Sequence, residues 1–245
     1  MSRQKLGITE DEWLTAKTVI DLDLYRSAKH QHRKWRLFGT ACCRRAMNLF
    51  PDPRLDAVAD AAEQFADSTL TWDDVKRVRQ ILTAVRKELG EKFGPDEARI
   101  DIVRALDDAT QKKPLDALGA CRHAEYAFAA AVRIHLSGDD RHTPETRARW
   151  QATLKAEDQE QVRLAHDIFG NPFRPVAVAP EWRTSDSVGL AQAIYAGRTF
   201  HDLPVLADAL EEAGCDAAEL LAHCRDTTLT HVRGCWAVDL VLGKA

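Results

Sequence analysis

The stretch TWDDVKRVRQILTAVRKELG, residues 71–90, shows most plainly what kind of fold this chain adopts. Thr71 stands where an N-cap residue is preferred, and two aspartates follow it in the first turn. Gly90 fits a C-terminal cap. Apolar residues recur between these ends at the spacing of one helix face: Val75, Val78, Leu82, Val85 and Leu89. The stretch therefore predicts an amphipathic helix that buries a single face.

Segments on both sides repeat this pattern. The sequence predicts further helices over 9–18, 32–50, 54–66 and 143–169, and two more that open at Gly94-Pro95 and Lys113-Pro114, the second of which stops near Gly138. Thr9 and Glu12 have the spacing of a capping box. Strands are marked by Asn-Gly hairpins or by a sustained alternation of apolar and polar residues, and the sequence contains neither pattern. The predicted fold class is all-α, a multi-helix bundle.

Three prolines interrupt the helical pattern after residue 169. Pro172, Pro175 and Pro180 predict an extended connector that reaches Trp182. Four short helices are predicted after it, beginning near Ser187, Asp202, Asp216 and Thr230, the last closing at Gly243. The predicted division is thus an N-terminal helical bundle over 1–169, and a proline-rich connector with a C-terminal helical module, packed on that bundle, over 170–245.

Composition limits the function classes. The chain of 245 residues has a net charge of −4, which gives no general attraction for nucleic acid or anionic lipid. No apolar run approaches the roughly 18 residues of a membrane span, so no membrane partner is expected. The N-terminal segment MSRQKLGITEDEW turns acidic before an apolar signal region forms, which predicts a cytoplasmic protein. In that reducing compartment the six cysteines are expected to be free thiols or metal ligands.

Several segments carry a family resemblance. EDEWL, KWRLFGTACCRR, DIFGNPFRPV, LAQAIY, LPVLADALEEAGCD, LAHCR and HVRGCWAVDLVLGK together resemble a paralogous family of planctomycete proteins of unknown function. The resemblance covers both ends of the chain, and it matches residues 70–160 only loosely. It implies a grouping of related proteins, and it implies no activity, because the family has none assigned.

The last thirty residues concentrate side chains that bind metals. The candidate ligands are Cys215, His223, Cys224, His231 and Cys235. If the last helix begins near Thr230, His231 and Cys235 lie one turn apart on the same face. A structural zinc ion takes four nitrogen or sulfur ligands in a tetrahedron, and two helices joined by a short turn are able to supply them.

Core packing is the competing interpretation of the same residues. Free cysteine is among the most buried residue types and behaves as a small apolar side chain. The missing C-x-x-C knuckle favours core packing, since this spacing is not a standard zinc signature. Cys42 and Cys43, adjacent on a predicted helix, are expected to fill the core. The sequence leaves zinc binding and core packing both open.

Three functional hypotheses follow. A helical interaction or scaffold module with a protein partner fits a chain that has no recognisable catalytic motif. An enzyme that uses Cys235 with His231 as its base is an alternative, which the predicted mid-helix position of the thiol disfavours. Nucleic-acid binding through the basic segment 26–45 is a second alternative. The competing interpretation is that this segment forms a solvated helix face whose positive charges balance those of the acidic helix 202–219. We expect a scaffold module more than an enzyme.

Overall fold

The computed structural model describes residues 7–23, 31–93, 98–113, 117–131 and 143–244, and these contain helices and turns but no strand. The predicted all-α fold class is therefore confirmed. The α-helices are α1 (Glu10–Leu14), α2 (His32–Met47), α3 (Pro53–Ala66), α4 (Trp72–Phe93), α5 (Ala98–Ala109), α6 (Ala117–Ala131), α7 (Pro144–Phe169), α8 (Ser185–Gly197), α9 (Leu203–Glu212), α10 (Ala218–Arg225) and α11 (Trp236–Leu242). None of the helices in these ranges is long and apolar enough to span a bilayer.

Two compact units make up the chain, Met1–Val162 and Arg163–Ala245. We refer to them as the N-terminal unit and the C-terminal unit. The division falls inside α7, ahead of the proline-rich connector at which the sequence predicts it. The last two turns of α7 therefore belong to the C-terminal unit.

Local capping chemistry explains several helix ends. The capping box at α1 is present, because Thr9 accepts from the Glu12 backbone N–H and Glu12 accepts from the Thr9 backbone N–H. The same helix ends at Leu14, earlier than predicted. α4 continues through Gly90 to Phe93, so the predicted cap at that glycine is wrong. The helix starts predicted at Gly94-Pro95 and Lys113-Pro114, and the stop near Gly138, lie outside the described residues.

The N-terminal unit is built around α2, which packs against α3, α5 and α6. Trp35, Leu37 and Phe38 are fully buried, and Cys42 and Cys43 are buried beside them, as core packing predicts. A helix that is buried on most sides carries no broad polar face. Arg36 nevertheless lies inside, because its guanidinium donates to three carbonyls at and just after the end of α5: Ala109, Gln111 and Lys112.

The described arginines of the basic segment 26–45 point into the N-terminal unit instead of forming a solvated face. Their carboxylate partners lie 2.8–3.0 Å away in the pairs Arg33–Asp67, Arg44–Glu63 and Arg45–Glu157. The acidic segment 202–219, which is α9 and the start of α10 rather than one helix, has a basic partner of its own, since Arg225 binds Asp208 and Glu211 on α9. Residues 24–30 of the basic segment lie outside the described residues.

The C-terminal unit has a small core of its own. α8 packs against α9 and α11, and α9 packs against α10. Leu203, Leu206 and Leu210 of α9 are fully buried in this core, and the connector lays Val176, Val178 and Trp182 against it. α10 begins at Ala218, two residues after the predicted start near Asp216, with Ala217 as its N-cap and no side-chain cap.

Candidate metal centre

Asp167 lies in the last turn of α7 with its side chain 2% exposed. A carboxylate at this end of a helix faces the negative pole of the helix dipole, so it needs a compensating charge or several donors. Gly170 ends the helix with φ +67, a conformation that glycine adopts without strain. A Cβ at Gly170 would stand 3.1 Å from Cγ of Trp236, so the indole packs directly on this turn.

A loop between α10 and α11 brings the other polar groups to Asp167. The prediction of a helix from Thr230 is wrong, because α11 begins only at Trp236. Gly234 has φ +98, and the backbone N–H of Cys235 donates to the carbonyl of Val232 at 2.9 Å. This is a β-turn with glycine at its third position, where a left-handed conformation is required. His231 and Cys235 therefore lie in a loop instead of on one helix face.

Four side chains meet at this loop: Asp167, His223, His231 and Cys235, whose ligand atoms all lie within 4.8 Å of one another. His231 Nδ1 is 2.7 Å and His223 Nε2 is 3.2 Å from Asp167 Oδ1. Cys235 Sγ is 3.2 Å from His223 Nε2 and 3.9 Å from His231 Nδ1. The buried Asp-His-His-Cys group is able to hold a metal ion.

Three of the six separations between ligand atoms are close to those around a tetrahedral ion, and all six are within 4.8 Å. Metal–ligand distances of about 2.0–2.3 Å place neighbouring ligand atoms of a tetrahedron roughly 3.3–3.6 Å apart. Three of the four measured separations lie within a few tenths of an ångström of this range. The fourth, between His231 Nδ1 and Asp167 Oδ1, is a hydrogen bond that an ion would replace.

The surroundings of His231 favour its doubly protonated form. Its Nδ1 faces the Asp167 carboxylate, and its Nε2 lies 3.2 Å from the carbonyl of Asp226; both partners are acceptors, and a proton on each ring nitrogen would satisfy both. Burial alone would lower the pKa of His231, but the hydrogen bond and the charge of Asp167 outweigh it and raise that pKa. Burial would likewise raise the pKa of Asp167, whereas its hydrogen bonds with His223 and His231 lower it.

The groups around Asp167, His231 and Cys235 orient these three side chains for coordination. The backbone N–H of Val232 donates to the second oxygen of Asp167 at 2.9 Å. His231 directs one nitrogen to Asp167 and the other to a backbone carbonyl, which is the usual arrangement around a ligating histidine. Burial raises the pKa of the Cys235 thiol well above its ordinary value. A bound cation would reverse that effect, because a coordinating thiol is deprotonated.

His223 is held differently from the other three. The indole Nε1–H of Trp236 donates to His223 Nδ1 at 3.2 Å. Because an indole nitrogen is only a donor, Nδ1 carries no proton, and the single proton of the neutral ring is on Nε2. That N–H points at Asp167 and Cys235, so the lone pair of Nε2 is not free for an ion in this arrangement.

The structure brings together three of the five predicted ligands, His223, His231 and Cys235. Cys215 and Cys224 are buried in the apolar core of the C-terminal unit and do not belong to the four-residue group. Burial raises the pKa of Cys224 to about 12. Asp167 is the member that the sequence did not reveal, because a single aspartate at the end of a long helix carries no distinguishing pattern.

A cavity of about 250 Å³ borders this centre inside the C-terminal unit. His231, Cys224 and Asp226 form its polar side, and Leu203 and Leu229 contribute apolar walls. Of the four side chains of the candidate centre, His231 is the one that lines this cavity.

Comparisons with known proteins do not assign this centre: the chain matches no family model, no curated protein and no solved structure. The chemistry of the site therefore rests on its own geometry.

Proposed function

We propose that the C-terminal unit binds one zinc ion through Asp167, His223, His231 and Cys235, in a helical protein that acts as an interaction scaffold. Structural zinc sites are closed and use four protein ligands. The side chains of Asp167, His231 and His223 are 2%, 6% and 11% exposed, and Cys235 is 0% exposed. This degree of enclosure favours a structural ion over a catalytic one.

The observation that carries the proposal is the convergence of four ligand atoms in one buried group, all within 4.8 Å of one another. The charge balance of this group supports the same conclusion. Without an ion, the Asp167 carboxylate faces the His231 imidazolium, and Cys235 is a neutral thiol. Zinc binding releases one proton from His231 and one from Cys235, and the dication then faces one carboxylate and one thiolate. Two protons are exchanged for one divalent ion, and the group is neutral before and after. No net charge is buried in either state, so the large desolvation cost of an unpaired charge is avoided.

The donor types favour zinc among divalent ions. Magnesium and calcium prefer shells made only of oxygen atoms, whereas one thiolate, two imidazoles and one carboxylate suit a borderline-soft ion with no redox chemistry. Zinc also accepts a tetrahedron without preference from its d electrons. The ion would join the end of α7, the end of α10 and the start of α11, and would thereby hold three helix termini of the C-terminal unit together.

The scaffold role is proposed from the way ionisable groups are used in the N-terminal unit. The arginines of α2 are bound to carboxylates and to backbone carbonyls, and these pairs stabilise helix packing. The same pairing argues against a nucleic-acid surface on α2, because Arg33, Arg44 and Arg45 already have carboxylate partners. Membership of the planctomycete family stays a prediction.

A Cys–His enzyme is the second candidate, because Cys235 Sγ lies 3.2 Å from His223 Nε2. The nearer imidazole is thus that of His223, and the His231 suggested by the sequence has its Nδ1 at 3.9 Å. A nucleophilic cysteine requires a lowered thiol pKa and access for its substrate. Cys235 has neither, since burial raises its pKa and the residue is 0% exposed. The geometry therefore supports metal binding better than nucleophilic catalysis.

Elemental analysis tests the zinc proposal. Untagged wild-type protein is stripped with a chelator, incubated with zinc and desalted, and we expect one zinc per chain. Cys235→Ser and Asp167→Asn should each lose the ion. The matched control is Cys224→Ser, because Cys224 is equally buried in the same unit but is not a member of the group.

Two results would overturn the proposal. The first is folded wild-type protein that takes up no zinc after this treatment. The second is zinc retained at full stoichiometry by both Cys235→Ser and Asp167→Asn. A titration of the wild type with cobalt, whose absorption reports tetrahedral geometry and a thiolate ligand, serves as a second measurement if the variants fold poorly.

A further inference from the structure

Trp236 occupies the one position from which an indole opposes metal binding. Its Nε1–H donates to Nδ1 of His223, the ring whose Nε2 faces Asp167 and Cys235. The two rings also lie against each other, with centroids 4.9 Å apart. A histidine that binds a metal through Nε2 keeps its proton on Nδ1 and donates it to an acceptor. Here Nδ1 faces a donor instead.

We infer that the Trp236 indole N–H competes with the metal for His223 and thereby sets the zinc affinity of the centre. This inference rests on the proposed zinc binding. For Nε2 of His223 to coordinate the ion, its proton must move to Nδ1, and two N–H groups would then point at each other across 3.2 Å. The indole hydrogen bond must therefore break each time the ion binds.

The other three ligands carry no such conflict. His231 directs Nε2–H to the carbonyl of Asp226, and the second oxygen of Asp167 accepts from Val232. Cys235 is placed by the turn at Gly234. Asp167, His231 and Cys235 are therefore oriented before the ion arrives, and His223 is the ligand that must be released. Trp236 acts through His223, and we call it a positioning residue for that reason.

Replacing the indole by a ring without a donor tests the inference. In Trp236→Phe the aromatic packing on Gly170 is largely kept, while the N–H is lost. We expect zinc affinity, measured by competition with a chromophoric chelator, to rise by about three- to tenfold, the equivalent of one net hydrogen bond. A merely structural role of Trp236 predicts a fall in affinity, so the direction of the change separates the two.

Two further variants sharpen the test. Trp182→Phe is the matched control, because Trp182 is also a half-buried tryptophan of the same core; its zinc affinity should equal that of the wild type. A His223→Ala background has only three ligands and binds zinc more weakly, and the Trp236→Phe change should not alter that residual affinity in a direct zinc titration, because there is no ring left to release. An equal gain with and without His223 would show that Trp236 does not act through it.

The outcomes separate the inference from the zinc proposal. If the wild type binds zinc and Trp236→Phe binds equally or more weakly, the inference about Trp236 is wrong and the zinc site stands. If neither protein binds zinc, the proposed function fails. If Trp236→Phe binds zinc more tightly only when His223 is present, both are supported.

Discussion

Both units of the protein bury carboxylates, but they neutralise them with different partners. In the N-terminal unit, Glu157 has a side chain only 3% exposed and accepts from Nε and Nη2 of Arg45 at 3.3 and 3.0 Å. In the C-terminal unit, Asp167 faces two imidazoles. A guanidinium keeps its proton at every accessible pH, whereas an imidazole exchanges its proton near neutrality. The first pair is therefore permanent, and the second is open to exchange.

This difference separates a structural ion pair from a metal site. The fork of Arg45 occupies both oxygens of Glu157, so no coordination position is left for an ion. Asp167 uses one oxygen for the backbone of Val232 and turns the other toward three side chains that each bind metals in their deprotonated form. A buried carboxylate thus indicates a metal site only when its partners are able to give up protons.

Zinc should produce the largest effect, and only in the C-terminal unit. At a free zinc concentration about a thousandfold above its dissociation constant, binding stabilises the folded state by roughly 4 kcal/mol. We expect amide hydrogen exchange, followed by mass spectrometry of full-length protein, to slow in peptides from residues 163–244. Peptides from the N-terminal unit serve as the internal control. Equal slowing in both units would contradict a local site.

Removing one partner from each buried pair gives the next largest effect. Arg45→Met should destabilise the N-terminal unit by about 2 kcal/mol, a value reduced because part of Arg45 is exposed to solvent. That loss should be the same with zinc and with chelator. Asp167→Asn should destabilise the C-terminal unit and also abolish its zinc response. Denaturant unfolding of both variants, with and without zinc, checks this contrast; a zinc-dependent loss in Arg45→Met would break it.

The helices were predictable because their signals are local. The capping box at Thr9 and Glu12, the proline at the first position of α7 and the apolar spacing in α4 all act within a few residues. The last helix was mispredicted because apolar spacing continues upstream of Trp236, while the left-handed conformation of Gly234 ends regular structure there. Periodicity alone does not report a positive φ.

The candidate site was predictable only in part, for a related reason. His223, His231 and Cys235 stand out because histidine and cysteine are uncommon and lie close together in the sequence. Asp167 is 64 residues from His231, and one aspartate among many carries no distinguishing pattern. Its role depends on the fold bringing the end of α7 to the loop before α11. Cys215 and Cys224 were included on residue type alone, and the structure buries them in the apolar core.

The smallest expected effect is on the pH dependence of stability, and it comes from a pair of carboxyl groups in the N-terminal unit, those of Glu125 and Asp158. Burial raises the pKa of Glu125 to about 8, and the charge of neighbouring Asp158 adds to the shift. The charge of Arg122 offsets only part of this shift, in contrast with the fork of Arg45 on Glu157. The folded state binds the proton of the Glu125 carboxyl group more tightly than the unfolded chain does. The resulting stabilisation of the fold is therefore complete below the ordinary glutamate pKa of about 4.5. It is lost as the pH rises through about 8.

Glu125→Gln should therefore remove part of the decline in stability of the N-terminal unit between about pH 5 and pH 8. The amide cannot ionise, so the variant should be the more stable protein at pH 8, and the difference should shrink toward pH 5. Thermal unfolding at a series of pH values, in chelator so that the C-terminal unit stays metal-free, provides the measurement. Glu91→Gln, at an exposed position on α4, is the control and should leave the slope unchanged. The prediction is contradicted if stability declines with pH as steeply in Glu125→Gln as in the wild type. The proton on Glu125 would then not stabilise the fold, and the carboxyl group would be solvated like an ordinary surface carboxylate.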